Sequence, residues 1–205
     1  PKTPAGTSSE PFKVLVAFDL ASSFARKNPL GAIAAFRQAF GDDPGARLIL
    51  RVLRRDAYPK GWDDIVAATG GAANIEMIEK ASSRREMLEL IRGVDVALSL
   101  HRSEGFGLVP AEAMLRGTNV VATNWSGNVD FLNAGNGMPV DYVLRPADDP
   151  QGEYHHPSLR WADADVGQAA AALRRLRADP ELRARLAEAA LADAARLFGP
   201  DGYEQ

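Results

Sequence analysis

The ten residues from Ser103 to Glu112, SEGFGLVPAE, carry two carboxylates eight positions apart around a glycine-bracketed loop. Gly105 and Gly107 allow positive φ and a close approach of backbone to ligand, while the free N–H groups of a helix starting just beyond them favour an anion. Glu104 and Glu112 would repel a phosphate held there, so their chemistry is to accept hydrogen bonds from hydroxyls. A ligand with both phosphate and hydroxyls, such as a nucleotide sugar, satisfies both parts of the loop. Taken singly, Glu112 reads as an acid favoured by a helix dipole and Glu104 as a solvated loop residue; it is the constellation that carries the reading.

Further candidates lie elsewhere in the chain. Arg26 and Lys27, in DLASSFARKNP, precede a helix start and can add positive charge to an anion site; they also read as two solvated basic side chains. His101, near the end of an expected strand, lies within reach of a bound ligand if it points outward, and is structural if it does not. Asn128 and Asp130, in NWSGNVDF, read equally as caps of a short helix. His155 and His156 are adjacent without a supporting carboxylate cluster, which favours an exposed loop over a metal site. The dinucleotide fingerprint G-x-G-x-x-G does not fit, because Pro110 stands where the third glycine belongs and the loop follows the fourth expected strand.

These side chains need a frame. Apolar, β-branched runs at 12–18, 46–53, 74–79, 95–100, 119–123 and 138–144 predict strands. Between them, Asn28, Pro29 and Gly41 bound one helix by N-cap, first position and stop. Further helices are expected over 61–69, in SRREMLELIRGV, over 109–117 starting at Pro110, and near 129–133. From Ala162 to Phe198 the chain reads as two helices broken at Pro180, with Leu182, Leu186 and Leu197 packing inward. Strands alternating with helices predict an α/β fold with a doubly wound parallel sheet, whose ligands bind at the carboxyl ends of the strands.

Composition agrees with one soluble domain: 205 residues, 46% hydrophobic and 25% charged, with enough length to bury a core. A net charge of −3 argues against a broad nucleic-acid surface and leaves room only for a local anion site. The absence of cysteine excludes disulfides and thiol chemistry and fits a reducing cytoplasm. PKTPAGTSSEPF lacks the apolar core of a signal peptide and reads as a linker.

Glu104, seven intervening residues and Glu112, with GFGL between them, resemble the E-x7-E motif of retaining GT-B glycosyltransferases of family 4. The resemblance implies a Rossmann-like domain forming the C-terminal half of a GT-B fold, with residues 1–11 a linker from an N-terminal domain, 12–198 the nucleotide-sugar-binding domain and 199–205 a tail. It implies that Glu104 contacts the donor sugar, that the amides of Gly105, Phe106, Gly107 and Leu108 meet sugar and diphosphate, and that Glu112 holds the ribose hydroxyls. Lys27, with Arg26, would serve the diphosphate; the family's Gly-Arg after the first strand is replaced by Asp19-Leu20. Base contacts are expected from the backbone around 79–82. Expected partners are a nucleoside diphosphate sugar and the protein's own N-terminal acceptor-binding domain, with peripheral membrane association of the full-length protein admitted and with neither metal nor other cofactor. The isolated domain is expected to be inactive. A GT-B-like epimerase or phosphorylase and a non-catalytic nucleotide-sugar-binding module are the alternatives.

Overall fold

The structure, a computed structural model, describes residues 10–79, 83–154 and 156–198. Most of the expected linker, the stretch 80–82, His155 and the tail 199–205 therefore lie outside the described residues. Six strands form one parallel sheet: β1 (Phe12–Asp19), β2 (Ala46–Leu53), β3 (Ile75–Ile78), β4 (Val96–Ser99), β5 (Asn119–Thr123) and β6 (Met138–Val140). Their order is β3-β2-β1-β4-β5-β6, so the chain reverses its direction of travel between β1 and β4. Loops diverge at such a switch point and leave a crevice outside the strand ends.

Successive residues of β1 feed opposite faces. Val14 and Val16 join Ile33, Phe36, Leu48 and Leu173 in one core, and Leu15 joins Ile49, Ile91, Met114 and Val120 in the other. This two-residue period, with both faces apolar, is why FKVLVAF reads as a continuous hydrophobic run. Each such side chain, fully buried, contributes about 1.5–3 kcal/mol. Helices α1 (Phe24–Lys27), α2 (Pro29–Phe40), α3 (Pro59–Thr69), α4 (Arg84–Arg92), α5 (Leu108–Met114), α6 (Val166–Ala178) and α7 (Pro180–Phe198) follow the strands and cover the sheet.

Four expectations need correction. Helix α5 starts at Leu108, behind Gly107 at φ 89, so Pro110 is its third residue and Glu112 its fifth. Proline is tolerated there because the first turn's N–H groups have no intrahelical partner. The segment 138–144 is not one strand: it breaks at Asp141, and β7 (Tyr142–Pro146) leaves the sheet to pair antiparallel with β8 (Arg160–Ala164). Asp141 gives its N–H to Gln168 Oε1 and its carbonyl to the N–H of Asp165, so the N-terminus of α6 takes the groups a sheet ladder would need. Ala162 to Ala164, expected in the helical tail, belong to β8, and α6 starts after the Asp165 N-cap. The helical stretch near 129–133 is one 3-10 turn, Gly127–Asp130.

Among the described residues, no helix is long and apolar enough to cross a membrane.

Candidate functional site

A cavity of about 370 Å³ opens at the carboxyl ends of β1, β2 and β4, within the size range of small-ligand sites. Lys27, Glu104, Gly107, Leu108 and Glu112 all line it. The two glutamates, one in the segment after β4 and one in α5, therefore share one wall system with Lys27 at the end of α1.

Lys27 owes its place to a corner between two helices. Ser23, at φ 52, caps the four-residue α1, and Asn28, at φ 50, both ends α1 and caps α2 by accepting from the N–H of Gly31 at 3.2 Å. Asparagine is among the few residues at ease in that left-handed region. The Asn28 amide also donates to the Leu100 carbonyl at 2.9 Å, which ties the corner to the end of β4. Lys27 Nζ then reaches Glu104 Oε2 at 2.5 Å, with both side chains mostly buried.

Arg26, its sequence neighbour, faces another way. Its guanidinium donates to the carbonyl and hydroxyl of Ser22 and to the carbonyl of Ser103, with Glu104 Oε2 at 3.4 Å. It is buried and does not line the cavity, so it braces the loop from behind. Nor do Gly105, Phe106 and His101 line it. The Phe106 ring packs against Phe131 and Phe198, each at 5.5 Å.

His101 is 1% exposed. Its Nε2 lies 2.9 Å from Asn128 Oδ1 and 3.1 Å from the Trp125 carbonyl, and Nδ1 lies 2.9 Å from the Ser99 hydroxyl. Two acceptors at Nε2 assign the proton there, leaving Nδ1 to accept from Ser99. Burial pushes its pKa below the ordinary value near 6.5, outweighing the hydrogen bond to the Trp125 carbonyl and the nearby Glu104 charge. His101 is thus a structural link between β4 and the loop at 125–128. Asn128, fully buried, donates to the Thr123 carbonyl at 2.9 Å and does not cap with its side chain, while Asp130 is exposed. His156 is exposed and bonds Ser158.

Glu112, in the second turn of α5, projects into the cavity with Arg84 Nη2 at 3.5 Å. Helix-dipole stabilisation, confined to the first turn, does not account for it. Gly107 must be glycine twice over: its φ is positive, and a Cβ would meet Asn128 Cβ at 3.2 Å. Gly127 is tighter still, since a Cβ there would sit 2.1 Å from the Gly105 carbonyl oxygen.

Three charged cavity residues were not among the candidate site residues: Asp19, Arg51 and Arg54. Arg54, the first residue beyond β2 and itself at φ 50, donates from Nε to both Asp19 carboxylate oxygens at 2.9 and 2.8 Å. The rule that strand carboxyl ends line the crevice would have found both partners. With them the wall carries Lys27, Arg51 and Arg54 against Asp19, Glu104 and Glu112. Its formal charge is balanced, and Lys27 and Arg54 are already paired.

The profile of the family "Glycosyl transferases group 1" matches residues 14–149. The chain belongs to that family. This group 1 glycosyl transferase chain is 35% identical over 132 residues to the D-inositol 3-phosphate glycosyltransferase of Xylanimonas cellulosilytica, an alignment covering 64% of this chain and 26% of that protein. It thus spans only a fraction of that relative's length. Its fold is similar to the C-terminal domain of the group 1 glycosyl transferase LpcC from Francisella tularensis, with a TM-score of 0.65, 19% identity, and coverage of 92% of this chain and 88% of that one. It is also similar to Anabaena HepE, crystallised with UDP and glucose, with a TM-score of 0.67, 21% identity, and coverage of 92% and 45%. The expected fold, a Rossmann-like α/β sheet of the kind that forms the C-terminal half of a GT-B fold, is the one observed.

Proposed function

We propose that this chain is the donor-binding half of an enzyme that transfers a sugar from a nucleoside diphosphate sugar to an acceptor hydroxyl, with retention at the anomeric carbon. One observation carries the reading: Lys27, Glu104, the Gly107–Leu108 backbone and Glu112 meet in a single cavity at the switch point of the sheet. The complex of HepE with UDP and glucose supports the same ligand class.

In this reading the diphosphate lies against Lys27, Arg54 and the backbone entering α5, and Glu112 accepts from the ribose hydroxyls. Glu104 faces the sugar. The bond from the anomeric carbon to the diphosphate oxygen breaks, the acceptor oxygen bonds that carbon on the face just vacated, and the acceptor proton passes to the departing diphosphate. Negative charge grows on the diphosphate as it leaves, and the cationic side chains stabilise it without requiring a metal. The acceptor would be held by an N-terminal domain of the complete protein, so this chain alone would bind donor without turning it over. A cytoplasmic setting, with peripheral membrane contact of the full-length protein, agrees with a chain free of cysteine.

Calorimetric titration of the chain with UDP, GDP and ADP tests the assignment. Glu112→Ala and Lys27→Ala should each weaken the best-binding nucleotide about fivefold or more, consistent with loss of a charge-assisted contact, while the melting temperature stays nearly constant. Unchanged affinity in both variants would remove the basis of the proposal.

A further inference from the structure

The geometry points to Ser126 as the positioning residue for Glu104, acting on its backbone so that the carboxylate stays available to the sugar; this rests on the donor-site reading above. Ser126 has φ 68 and ψ −154, a region that glycine occupies almost alone. A side chain kept in that conformation needs a compensating interaction. The Ser126 hydroxyl accepts from the N–H of Glu104 at 2.7 Å and donates to the carbonyl of the same residue at 3.0 Å. The N–H of Gly127 donates to that carbonyl as well, at 3.0 Å. Three bonds thus converge on the main chain of one residue, and none of them uses its carboxylate.

Glu104 needs such support because it lies between β4 and α5, in neither a strand nor a helix. The Ser126 hydroxyl supplies what a neighbouring strand would supply, one acceptor and one donor. Its own loop is fastened in turn. Asn128 is held by the Thr123 carbonyl and by His101, and His101 by Ser99 at the end of β4. The position of the Glu104 main chain is therefore referred to both β4 and β5, the strands that flank the cavity's loop. Arg26 adds a fourth tether through the Ser103 carbonyl at 2.8 Å.

Two variants separate this role from a merely structural one. Ser126→Gly removes the hydroxyl and relieves the backbone strain; Ser126→Ala removes the hydroxyl and keeps the strain. Stability should follow the backbone, with Ser126→Gly melting near the wild type and above Ser126→Ala. Glu104 should follow the hydroxyl. In both variants its amide should exchange with solvent about tenfold faster or more, as expected for an amide that has lost its partner. Calorimetry with UDP and UDP-glucose, GDP and GDP-mannose, and ADP and ADP-glucose reads the consequence for the ligand. For the pair that binds, both variants should keep the affinity for the nucleoside diphosphate and weaken the sugar conjugate about tenfold, because small misplacements of a positioning group have effects of that order.

Wild-type exchange at Glu104 in Ser126→Gly overturns the inference. So does a Ser126→Gly protein that loses nucleotide and conjugate equally while melting as low as Ser126→Ala, because function would then track folding alone. If the wild type binds none of the pairs, the donor-site reading fails on its own terms. The exchange rates then still decide whether the hydroxyl holds Glu104.

Discussion

Gly127→Ala should open the loop that carries Glu104, and the coordinates set the scale of the effect. A Cβ at Gly127 would lie 2.1 Å from the Gly105 carbonyl oxygen, 2.7 Å from its carbon and 2.8 Å from Phe106 Cα. All three are main-chain atoms, so no side chain can rotate away. Restoring an ordinary contact requires the two backbones to part by at least about 1 Å. That separation breaks the bond from the Gly127 N–H to the Glu104 carbonyl, now 3.0 Å. Overpacking costs about 1–3 kcal/mol and the lost bond about 0.5–1.5 kcal/mol. At about 2–4 °C per kcal/mol for a chain of this size, the melting temperature should fall by about 3–18 °C. Gly105→Ala is the matched control, since a Cβ there meets nothing within 4 Å and its φ is not in the left-handed region. It should melt within about 1 °C of the wild type, as surface changes usually do. Thermal melts followed by circular dichroism check both, and calorimetry should show Gly127→Ala at least about tenfold weaker for the sugar conjugate of whichever nucleotide binds. If Gly127→Ala melts and binds like the wild type, or Gly105→Ala falls as far, the packing of the two loops has been misread.

Asp19→Asn should tighten nucleoside diphosphate binding. The amide keeps the bond from the Ala21 N–H but releases Arg54, whose exposed pair with Asp19 is worth about 0.2–1 kcal/mol, so affinity should improve about 1.5- to 5-fold in titrations; weaker binding would place Arg54 away from the phosphates. His101 should make stability fall on acidification. Its folded-state pKa lies below the unfolded value near 6.5, so the unfolded chain binds more protons between the two; stability is whole above about 6.5 and declines as pH drops toward the folded-state value, by at most about 1.4 kcal/mol per pH unit. Urea titrations between pH 8 and pH 5 should show that slope, and His101→Gln should flatten it; a slope unaffected by the substitution would assign the protons elsewhere. Gly107→Ala should destabilise through its φ of 89 and its 3.2 Å approach to Asn128 Cβ, lowering the melting temperature by about 2 °C or more; a melt like that of the wild type would show that the entry to α5 can relax.

The centre of the parallel sheet was readable because its strands are buried on both faces. ARLILRVL and NVVAT match β2 and β5 to the residue, as apolar runs closed by turn signals. The ends of α2 were readable from three residues whose chemistry is local: Asn28, Pro29 and Gly41. Where the strand reading failed, the deciding partner was distant in sequence. Nothing within MPVDYVL marks Asp141 as a break, because the groups that stop the ladder there come from Asp165 and Gln168. The strand at Arg160–Ala164 was likewise hidden in an alanine-rich context and exists because β7 pairs with it.

The same distinction runs through the site. Glu104, Glu112 and Lys27 could be named because each lies where a strand end or loop meets a helix, a place fixed by topology. That Arg26 would turn away from the cavity while Lys27 lines it was not legible, since α1, one turn long, rotates adjacent side chains to different sides. Arg54 and Asp19 were missed because they meet through the pairing of β1 with β2, where Asp19 stands opposite Leu53. Their pairing matters to the chemistry. A cavity whose lysine and rim arginine already hold carboxylates cannot be filled by simple attraction; on the proposed reading an arriving diphosphate must take Lys27 from Glu104 and Arg54 from Asp19. The first exchange leaves a glutamate carboxylate beside the sugar with lone pairs to offer its hydroxyls. That exchange works only if the main chain of Glu104 stays fixed while its side chain changes partner, and the three bonds from Ser126 and Gly127 to that main chain leave the carboxylate out of the fastening.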